Sequence, residues 1–147
     1  MVQFQLTIDC ADRDRLARFW ASALGYEPQG PPEGFADWRT YWLSVGVPAE
    51  EISDNVDTLV DPAGHGPRIW FQEVPEGKTV KNRLHLDIDA SGRISGRKVP
   101  IDEIRRQVDA TVQRLTSLGA TTKTVADLAN YYCVVMQDPE GNELCVG

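Results

Sequence analysis

The residues best suited to chemistry lie in one short stretch, Asn82–Asp89. Alternation in this stretch predicts a β-strand with two different faces. One face is apolar and carries Leu84, Leu86 and Ile88. The other face carries a guanidinium, an imidazole and two carboxylates, from Arg83, His85, Asp87 and Asp89. An apolar face seeks a core, whereas this polar face favours water, a partner or a ligand, and we take it as the main functional prediction.

His85 allows two interpretations of that face. An imidazole with a carboxylate suits a divalent metal such as Zn, Ni, Fe or Mn. Such a metal would polarise a carbonyl or hold an enediolate while a carboxylate moves the proton. Alternatively, His85 donates a hydrogen bond to Asp87 or another polar group in a metal-free cleft. The residue types leave both interpretations open.

Other candidate residues are aromatic or basic. A flat or apolar ligand would suit a pocket lined by a subset of the strand aromatics, while the remainder fill the core; these are Trp38, Trp42, Trp70, Tyr131 and Tyr132. A basic loop could meet an anionic substrate or simply be solvated, and its charges are Arg93, Arg97 and Lys98. His65 lies in a Gly-rich turn and is expected at the surface.

Size and charge exclude several classes of protein. The chain has 147 residues, which suits one domain or two small modules that share a core. Its 15 basic and 22 acidic residues give a net charge of −7, which argues against nucleic acid and anionic membranes as partners. No apolar run approaches the ~18 residues of a membrane span, and no signal peptide is visible. Three cysteines without a CxxC motif suit a reducing compartment, so we expect a cytoplasmic protein.

The pattern of apolar residues predicts two helices among several strands. The first helix runs from Asp12 to Leu24 and ends at Gly25, and the second runs from Pro100 or Asp102 to about Leu118. Pro48 to Asp61 is left open as a short strand or a surface loop, and Ala90 to Pro100 is an inserted loop. Besides the functional stretch, the expected strands are Phe4–Cys10, Thr40–Val45, Arg68–Val74, Thr121–Val125, Tyr131–Gln137 and Glu143–Val146.

The chain also repeats itself. Gln5–Asp9 aligns with His85–Asp89, each before a helix, and Asp61–Gly64 aligns with Asp138–Gly141, each before a strand. The repeat predicts an α+β fold in which one domain, residues 1–147, holds two βαβββ modules, about 1–77 and about 81–147. We expect a curved, mostly antiparallel sheet whose concave cleft receives the polar faces of the two first strands.

These residues resemble a known superfamily. The segments that carry the resemblance are Leu6–Asp12, Leu16–Trp20, Leu24–Tyr26, Lys81–Asp87 and Asp138–Glu143. They are similar to the vicinal-oxygen-chelate superfamily, which holds glyoxalase I, the bleomycin-resistance proteins and the extradiol dioxygenases. Among these the sequence most resembles glyoxalase-like domains of unassigned function. Because this fold hosts many chemistries, the resemblance indicates a fold more strongly than a reaction.

The resemblance implies a set of metal ligands. In metal-using members the ligands come from the first and last strands of each module, which implies Gln5, a residue within Arg68–Glu73, His85 and Glu143. Glu143 would serve as ligand or as general base; otherwise it is an acid that lines the cleft or is solvated. A carboxylate is usual at the second position, where this chain offers Gln72 or, with a shifted register, Glu73.

Two functions follow from the resemblance. The first is a metal-dependent lyase or isomerase that acts on a small oxygenated substrate. The second is a metal-free protein that sequesters an aromatic or peptide-like antibiotic, as bleomycin-resistance proteins do. Extradiol dioxygenase activity is the least expected, because Gln5 stands where its iron set has a His. The resemblance also implies a homodimer.

Overall fold

The chain folds into two units, each with its own sheet and its own long helix. The structure is a computed structural model that describes residues 2–147. The first unit ends at Pro75 and the second comprises Glu76–Gly147.

The first unit is a four-stranded sheet backed by one helix. The strand order is β1-β4-β3-β2, with β1 and β4 parallel and the other pairs antiparallel. The interior is apolar and includes Leu16, Phe19, Trp20, Leu59, Ile69 and Phe71. The elements of this unit are β1 (Gln5–Cys10), α1 (Arg13–Leu24), β2 (Glu27–Pro28), α2 (Trp38–Ser44), β3 (Thr58–Val60) and β4 (Arg68–Glu73).

Local sequence signals explain both ends of α1. The Asp12 side chain accepts a hydrogen bond from the Arg15 N–H, which satisfies one of the free donors at the helix start. Gly25 ends the helix in the left-handed conformation, with φ 70°. Between these caps, the helix turns one apolar side toward the sheet. This helix therefore agrees with the sequence-based prediction.

The segment at Trp38 is a helix and not the predicted strand. Asp37 caps it by accepting the Thr40 N–H at 2.7 Å. The rings of Trp38 and Trp42, four positions apart, stack with centroids 5.6 Å apart, which is the spacing of one helical face. Aromatic and β-branched residues favoured a strand at Thr40–Val45, but the cap and this stacking stabilise a helix instead.

The second unit repeats the architecture of the first. Its strand order is β5-β8-β7-β6, with β5 and β8 parallel and the other pairs antiparallel. The interior includes Ile104, Val108, Leu115, Val134, Met136, Leu144 and Val146. The elements are β5 (Asp87–Ile88), α3 (Ile101–Ser117), β6 (Thr121–Leu128), β7 (Tyr131–Gln137) and β8 (Glu143–Val146). The segment between Ala90 and Pro100 holds no helix or strand, as expected of an inserted loop.

The predicted strand at Asn82–Asp89 is much shorter in the structure. Only Asp87–Ile88 pair as a strand, and Leu84 is 83% exposed. The expectation that Leu84 faces the core is therefore wrong. Alternation places side chains on faces only where backbone pairing holds the chain extended, and that pairing starts at the bond from the Cys145 N–H to the Leu86 carbonyl.

A similar turn precedes the last strand in each of the two units. Asp61 accepts hydrogen bonds from the backbone N–H groups of Ala63, His65 and Gly66. In the second unit, the buried Asp138 accepts the backbone N–H groups of Glu140 and Asn142. Each turn contains a glycine at positive φ, Gly64 or Gly141. The Asp-Pro-x-Gly repeat thus corresponds to a repeated structure, and the α+β fold of two βαβββ-like modules is confirmed.

Within residues 2–147, no helix is long and apolar enough to span a membrane.

Candidate functional site

Three possible metal ligands lie together in the second unit. They are His85, Asp87 and Cys145, and one ligand atom of each lies within 4.8 Å of the others. The His85 Nε2 atom is 3.3 Å from the Asp87 Oδ1 atom. Both of these side chains are solvent-accessible, at 40% and 53% exposure. A dissolved ion or a substrate can therefore reach the cluster.

Strand pairing brings the cluster together. Asp87 on β5 is the register partner of Cys145 on β8. Paired residues of neighbouring strands direct their side chains to the same face. His85 precedes the paired segment, and its side chain joins the cluster through the 3.3 Å contact with Asp87. The site thus depends on the parallel pairing between the first and last strands of the module.

Cys145 has an environment that favours the thiol. Burial first, and then the neighbouring Cys133 thiol and Asp87 carboxylate, raise the pKa of Cys145 to about 12. Within residues 2–147 the cysteines form no disulfide, and Cys10 and Cys133 are buried. Without a metal, Cys145 is therefore a neutral thiol near neutral pH, and a bound cation would have to displace its proton.

Glu143 is held by cations. It is only 4% exposed, and its carboxylate lies 3.0 Å from the Lys123 ammonium and 3.2 Å from the Lys78 ammonium. It also accepts the Asn82 N–H at 3.0 Å. That backbone bond and the two lysines hold the pKa of Glu143 far below its usual range. The residue is thus a fixed anion whose oxygens already have partners.

Gln5 lies in the first unit, where its side chain is also engaged. The Arg68 guanidinium donates a hydrogen bond to the Gln5 Oε1 atom. The same oxygen would have to ligate a metal, so a ligand role requires it to leave the guanidinium. The pairing of Gln5 with Arg68 in the β1–β4 register explains this contact.

The register of β4 distinguishes the two alternatives for a ligand on that strand. Gln72 pairs with Asp9 and lies on the face of the sheet that carries Gln5. Glu73 points to the other face, where its carboxylate is 3.9 Å from the Arg13 guanidinium. Of the two, Gln72 is therefore the one that shares a face with Gln5.

The first unit also contains a large cavity with aromatic walls. Its volume is about 870 Å³, which is in the range of small-molecule sites. One wall is the polar face of the sheet, with Thr58, Arg68 and Trp70, and another is α2, with Trp38 and Trp42. The segment after α2 lines another side of the cavity. The predicted aromatic pocket thus has a counterpart here, although Tyr132 is buried in the second unit and Tyr131 lies on its strand β7.

Sequence reasoning missed Cys145 as a possible ligand and gave Asp87 only a supporting role. Asp87 could have been found, because it stands two residues from His85 on the predicted polar face. Cys145 could not, because its pairing with Asp87 depends on a strand register that one sequence does not reveal. Asp89, also on that face, instead binds the backbone N–H groups of Ile94 and Ser95 and organises the inserted loop.

The chain belongs to the family of glyoxalase-like domains. The model of that family matches residues 5–147, which is nearly the whole chain. Its fold is similar to that of solved structures from the glyoxalase, bleomycin-resistance and dioxygenase superfamily, also called the vicinal-oxygen-chelate superfamily. A search of curated protein sequences gives no significant match.

Several solved structures share the fold at low sequence identity. A glyoxalase/bleomycin resistance protein/dioxygenase family enzyme from Burkholderia phytofirmans PsJN is 17% identical, with a TM-score of 0.56 over 97% of this chain and 94% of that chain. A possible glyoxalase from Bacillus cereus is 16% identical, with a TM-score of 0.57 over 99% and 97%. The fosfomycin resistance protein FosX from Listeria monocytogenes, in complex with Mn(II) and a dihydroxypropylphosphonic acid, is 11% identical, with a TM-score of 0.59 over 99% and 89%. At these identities the similarity concerns the fold alone.

Proposed function

We propose that this chain binds a divalent metal at His85, Asp87 and Cys145 and uses it as a lyase or isomerase of a small oxygenated substrate. The observation that carries the proposal is the convergence of three different donor atoms within 4.8 Å at an accessible place on the sheet. The proposed reaction class rests on the resemblance of this chain to the vicinal-oxygen-chelate superfamily. In the metal-using members of that superfamily, the ligands come from the first and last strands of each module.

The donor set fits a transition metal. Two ligands about 2.0 Å from a tetrahedral ion lie about 3.3 Å apart, and the His85 Nε2 and Asp87 Oδ1 atoms are 3.3 Å apart. A sulfur donor favours Zn or Fe over Mn, although FosX of the same fold was solved with Mn(II). Three protein ligands leave a position open, where a bound metal would polarise a substrate carbonyl or activate water.

The ligand roles of Gln5 and Glu143 remain predictions, and so does the role of Glu143 as catalytic base. For Glu143 to take either role, its oxygens must leave Lys78, Lys123 or the Asn82 N–H. A carboxylate with a strongly lowered pKa is also a weak proton acceptor at neutral pH. In our proposal Glu143 therefore fixes the segment before His85 and does not move the proton.

The test is metal binding to protein freed of metal with a chelator. Isothermal titration with Zn, Ni, Fe(II) and Mn(II) gives affinities, and Co(II) reports a thiolate ligand through its sulfur-to-metal absorption band. We expect His85→Ala and Asp87→Asn to weaken binding by about 100-fold or more, since losing even a supporting partner costs 10–100-fold. Cys145→Ser should abolish the cobalt–thiolate band.

Matched variants decide between the ligand sets. His65→Ala and Cys10→Ser should leave the metal affinity unchanged, because both residues lie in the first unit and outside the cluster. If Glu143→Gln weakens binding as much as His85→Ala, then Glu143 is a ligand and our assignment is wrong. Absence of binding for all four metals would reject the metalloenzyme altogether.

A second function is supported by the aromatic cavity of the first unit. We propose as the alternative a metal-free binding protein that holds an aromatic or peptide-like antibiotic there. An antibiotic of this class should then raise the melting temperature by an amount that grows with the logarithm of its concentration. Stabilisation that persists in His85→Ala and in chelator would favour this function over the first.

The resemblance also leads us to propose a cytoplasmic homodimer. Size-exclusion chromatography coupled to light scattering measures the molar mass in solution and so tests the dimer. A measured mass near 16.4 kDa, the mass of one chain, would reject the dimer.

A further inference from the structure

We propose that the aromatic cavity of the first unit takes a planar aromatic molecule with one anionic group, and that Arg68 receives that group. The proposal deepens the binding function described above, on which it rests, and it does not require a metal. It is carried by three observations: stacked indoles outside the core, an arginine without a counter-charge, and one residue that hydrogen-bonds to an indole and to the arginine.

The aromatic wall is unusual because its rings are not used in the core. None of the residues of α2 is buried, and Trp42 is 38% exposed. Trp38 and Trp42 nevertheless stack at an angle of 20°, and Tyr41 packs on both, with centroids 5.7 and 4.9 Å away. Large exposed rings that line a cavity offer flat apolar area to a ligand. Such a surface favours a planar ring system.

Arg68 provides a positive charge that the first unit does not neutralise. Its guanidinium donates to three neutral oxygens, those of Gln29, Thr58 and Gln5. Among residues 2–147, no carboxylate lies within ion-pair distance of it. The nearest one in its hydrogen-bond network, Asp57, is reached only through the Thr58 hydroxyl. A guanidinium has five N–H donors, so two remain for a planar anion such as a carboxylate.

Gln29 connects the charge to the aromatic wall. Its backbone carbonyl accepts the Trp38 indole N–H at 2.8 Å, and its side-chain oxygen accepts the Arg68 Nε–H at 2.6 Å. One residue therefore holds the indole and the guanidinium in a fixed relation. A ligand that uses both would meet a preorganised site, which lowers the entropy lost on binding.

The acidic residues of the cavity limit the charge of the ligand. Asp37 is used to cap α2, and Asp57 accepts the Thr58 hydroxyl at 2.9 Å. Glu51 and Asp54 are exposed on the segment after α2. Carboxylates on this side disfavour a second negative charge. The lining also holds Arg13 and Arg39, so its four carboxylates face three arginines and leave no excess of positive charge for a polyanion. The structure thus indicates one anionic group joined to a flat ring, and not a polyanion such as a nucleotide.

The experiment compares 2-naphthoate with 2-naphthamide, which has the same shape and no charge. Intrinsic fluorescence reports binding, because three of the four tryptophans line the cavity and Trp20 lies in the core. We expect naphthoate to bind about tenfold or more tightly than naphthamide, since a hydrogen bond between two charged groups is stronger than one to a neutral amide. Arg68→Gln should remove this preference, and the matched surface variant Arg15→Gln should keep it.

Further variants keep the test decisive. Naphthamide affinity and the near-UV spectrum show whether Arg68→Gln still folds, and Arg68→Lys, which keeps the charge without the fork, should retain part of the preference. His85→Ala should change nothing. Equal binding of the two probes to the wild type, or an unchanged preference in Arg68→Gln, would overturn the anionic assignment while leaving a binding function. If neither naphthoate nor naphthamide binds, the anionic assignment and the binding function are both wrong.

Discussion

The buried carboxylate of Glu143 in the second unit is paired so completely that its chemistry is restricted. Glu143 has two lysines and a backbone N–H around one carboxylate. Breaking one partner of such a set leaves an uncompensated charge, so the set persists as a whole. The consequence is structural: the set ties the segment at Lys78 and Asn82 to the start of β8, two residues before Cys145 of the candidate metal site.

Tyr132 gives a pH-dependent prediction. The Asp109 carboxylate accepts its hydroxyl at 2.7 Å and, with burial, raises the pKa of Tyr132 to about 12. The unfolded pKa is near 10, so the folded state keeps the proton longer. The bond therefore stabilises the fold fully below pH 10, and this stabilisation is lost as pH rises toward 12.

We expect Tyr132→Phe to lower the free energy of unfolding by about 2 kcal/mol at pH 8. The wild type should approach the variant as pH rises from 10, which urea unfolding at several pH values measures. Tyr41→Phe is the matched control, because it keeps the ring contacts on α2 and removes a hydroxyl from another place. A constant difference between wild type and Tyr132→Phe across this pH range would contradict the assignment.

The candidate site could be predicted from the sequence only in part. Alternation identified the polar face of His85 and Asp87, since it depends on neighbours along the chain. The role of Cys145 depends on which residue of β8 stands beside Asp87, and that register is fixed by pairing between distant segments. Likewise, no local signal revealed that Lys78 and Lys123 converge on Glu143.

At the scale of elements, α2 shows why local propensity misleads. Its aromatic residues favour a strand when counted singly. The useful signals were positional: Asp37 as a cap three residues before Thr40, and indoles four residues apart. The long helices were predicted well because each combines a clear apolar stripe with a glycine just after its end. A seven-residue helix without a buried side has no such stripe.

The end of α1 gives a prediction at this scale. Gly25 adopts φ 70°, and an added Cβ would meet no atom within 4 Å, so any cost comes from the backbone. We expect Gly25→Ala to lower the free energy of unfolding by about 1 kcal/mol, because left-handed backbone disfavours a side chain. Thermal and urea unfolding measure it.

Gly30→Ala is the control for that prediction. Gly30 also has open space around its Cα but no positive φ. This variant should be neutral or slightly stabilising, through a reduced entropy of the unfolded chain. Equal destabilisation by the two variants would show that the conformation at Gly25 is not the cause.

At the scale of the whole molecule, the repeat was the most informative sequence feature. It predicted two modules because it recurs in strand, helix and turn together, and both sheets have the same order of strands. The net charge of −7 is the other property that belongs to the chain as a whole.

That charge predicts weak contact with polyanions. In low salt, a labelled DNA duplex should show no change in fluorescence anisotropy at micromolar protein, since no excess of basic residues is available to release counterions. Binding that weakens steeply as salt is added would contradict this expectation. A histone-like basic protein serves as the positive control.

The two Asp-Pro-x-Gly turns have a consequence for how such a chain can diverge. Each turn is closed by hydrogen bonds from backbone N–H groups of the turn to its own aspartate. The position where β4 or β8 begins is thus set independently of the residues the strand displays. Arg68, the exposed first residue of β4, can be exchanged during evolution while the entry point of the strand stays the same, so one module can acquire a new ligand without a change in its turn.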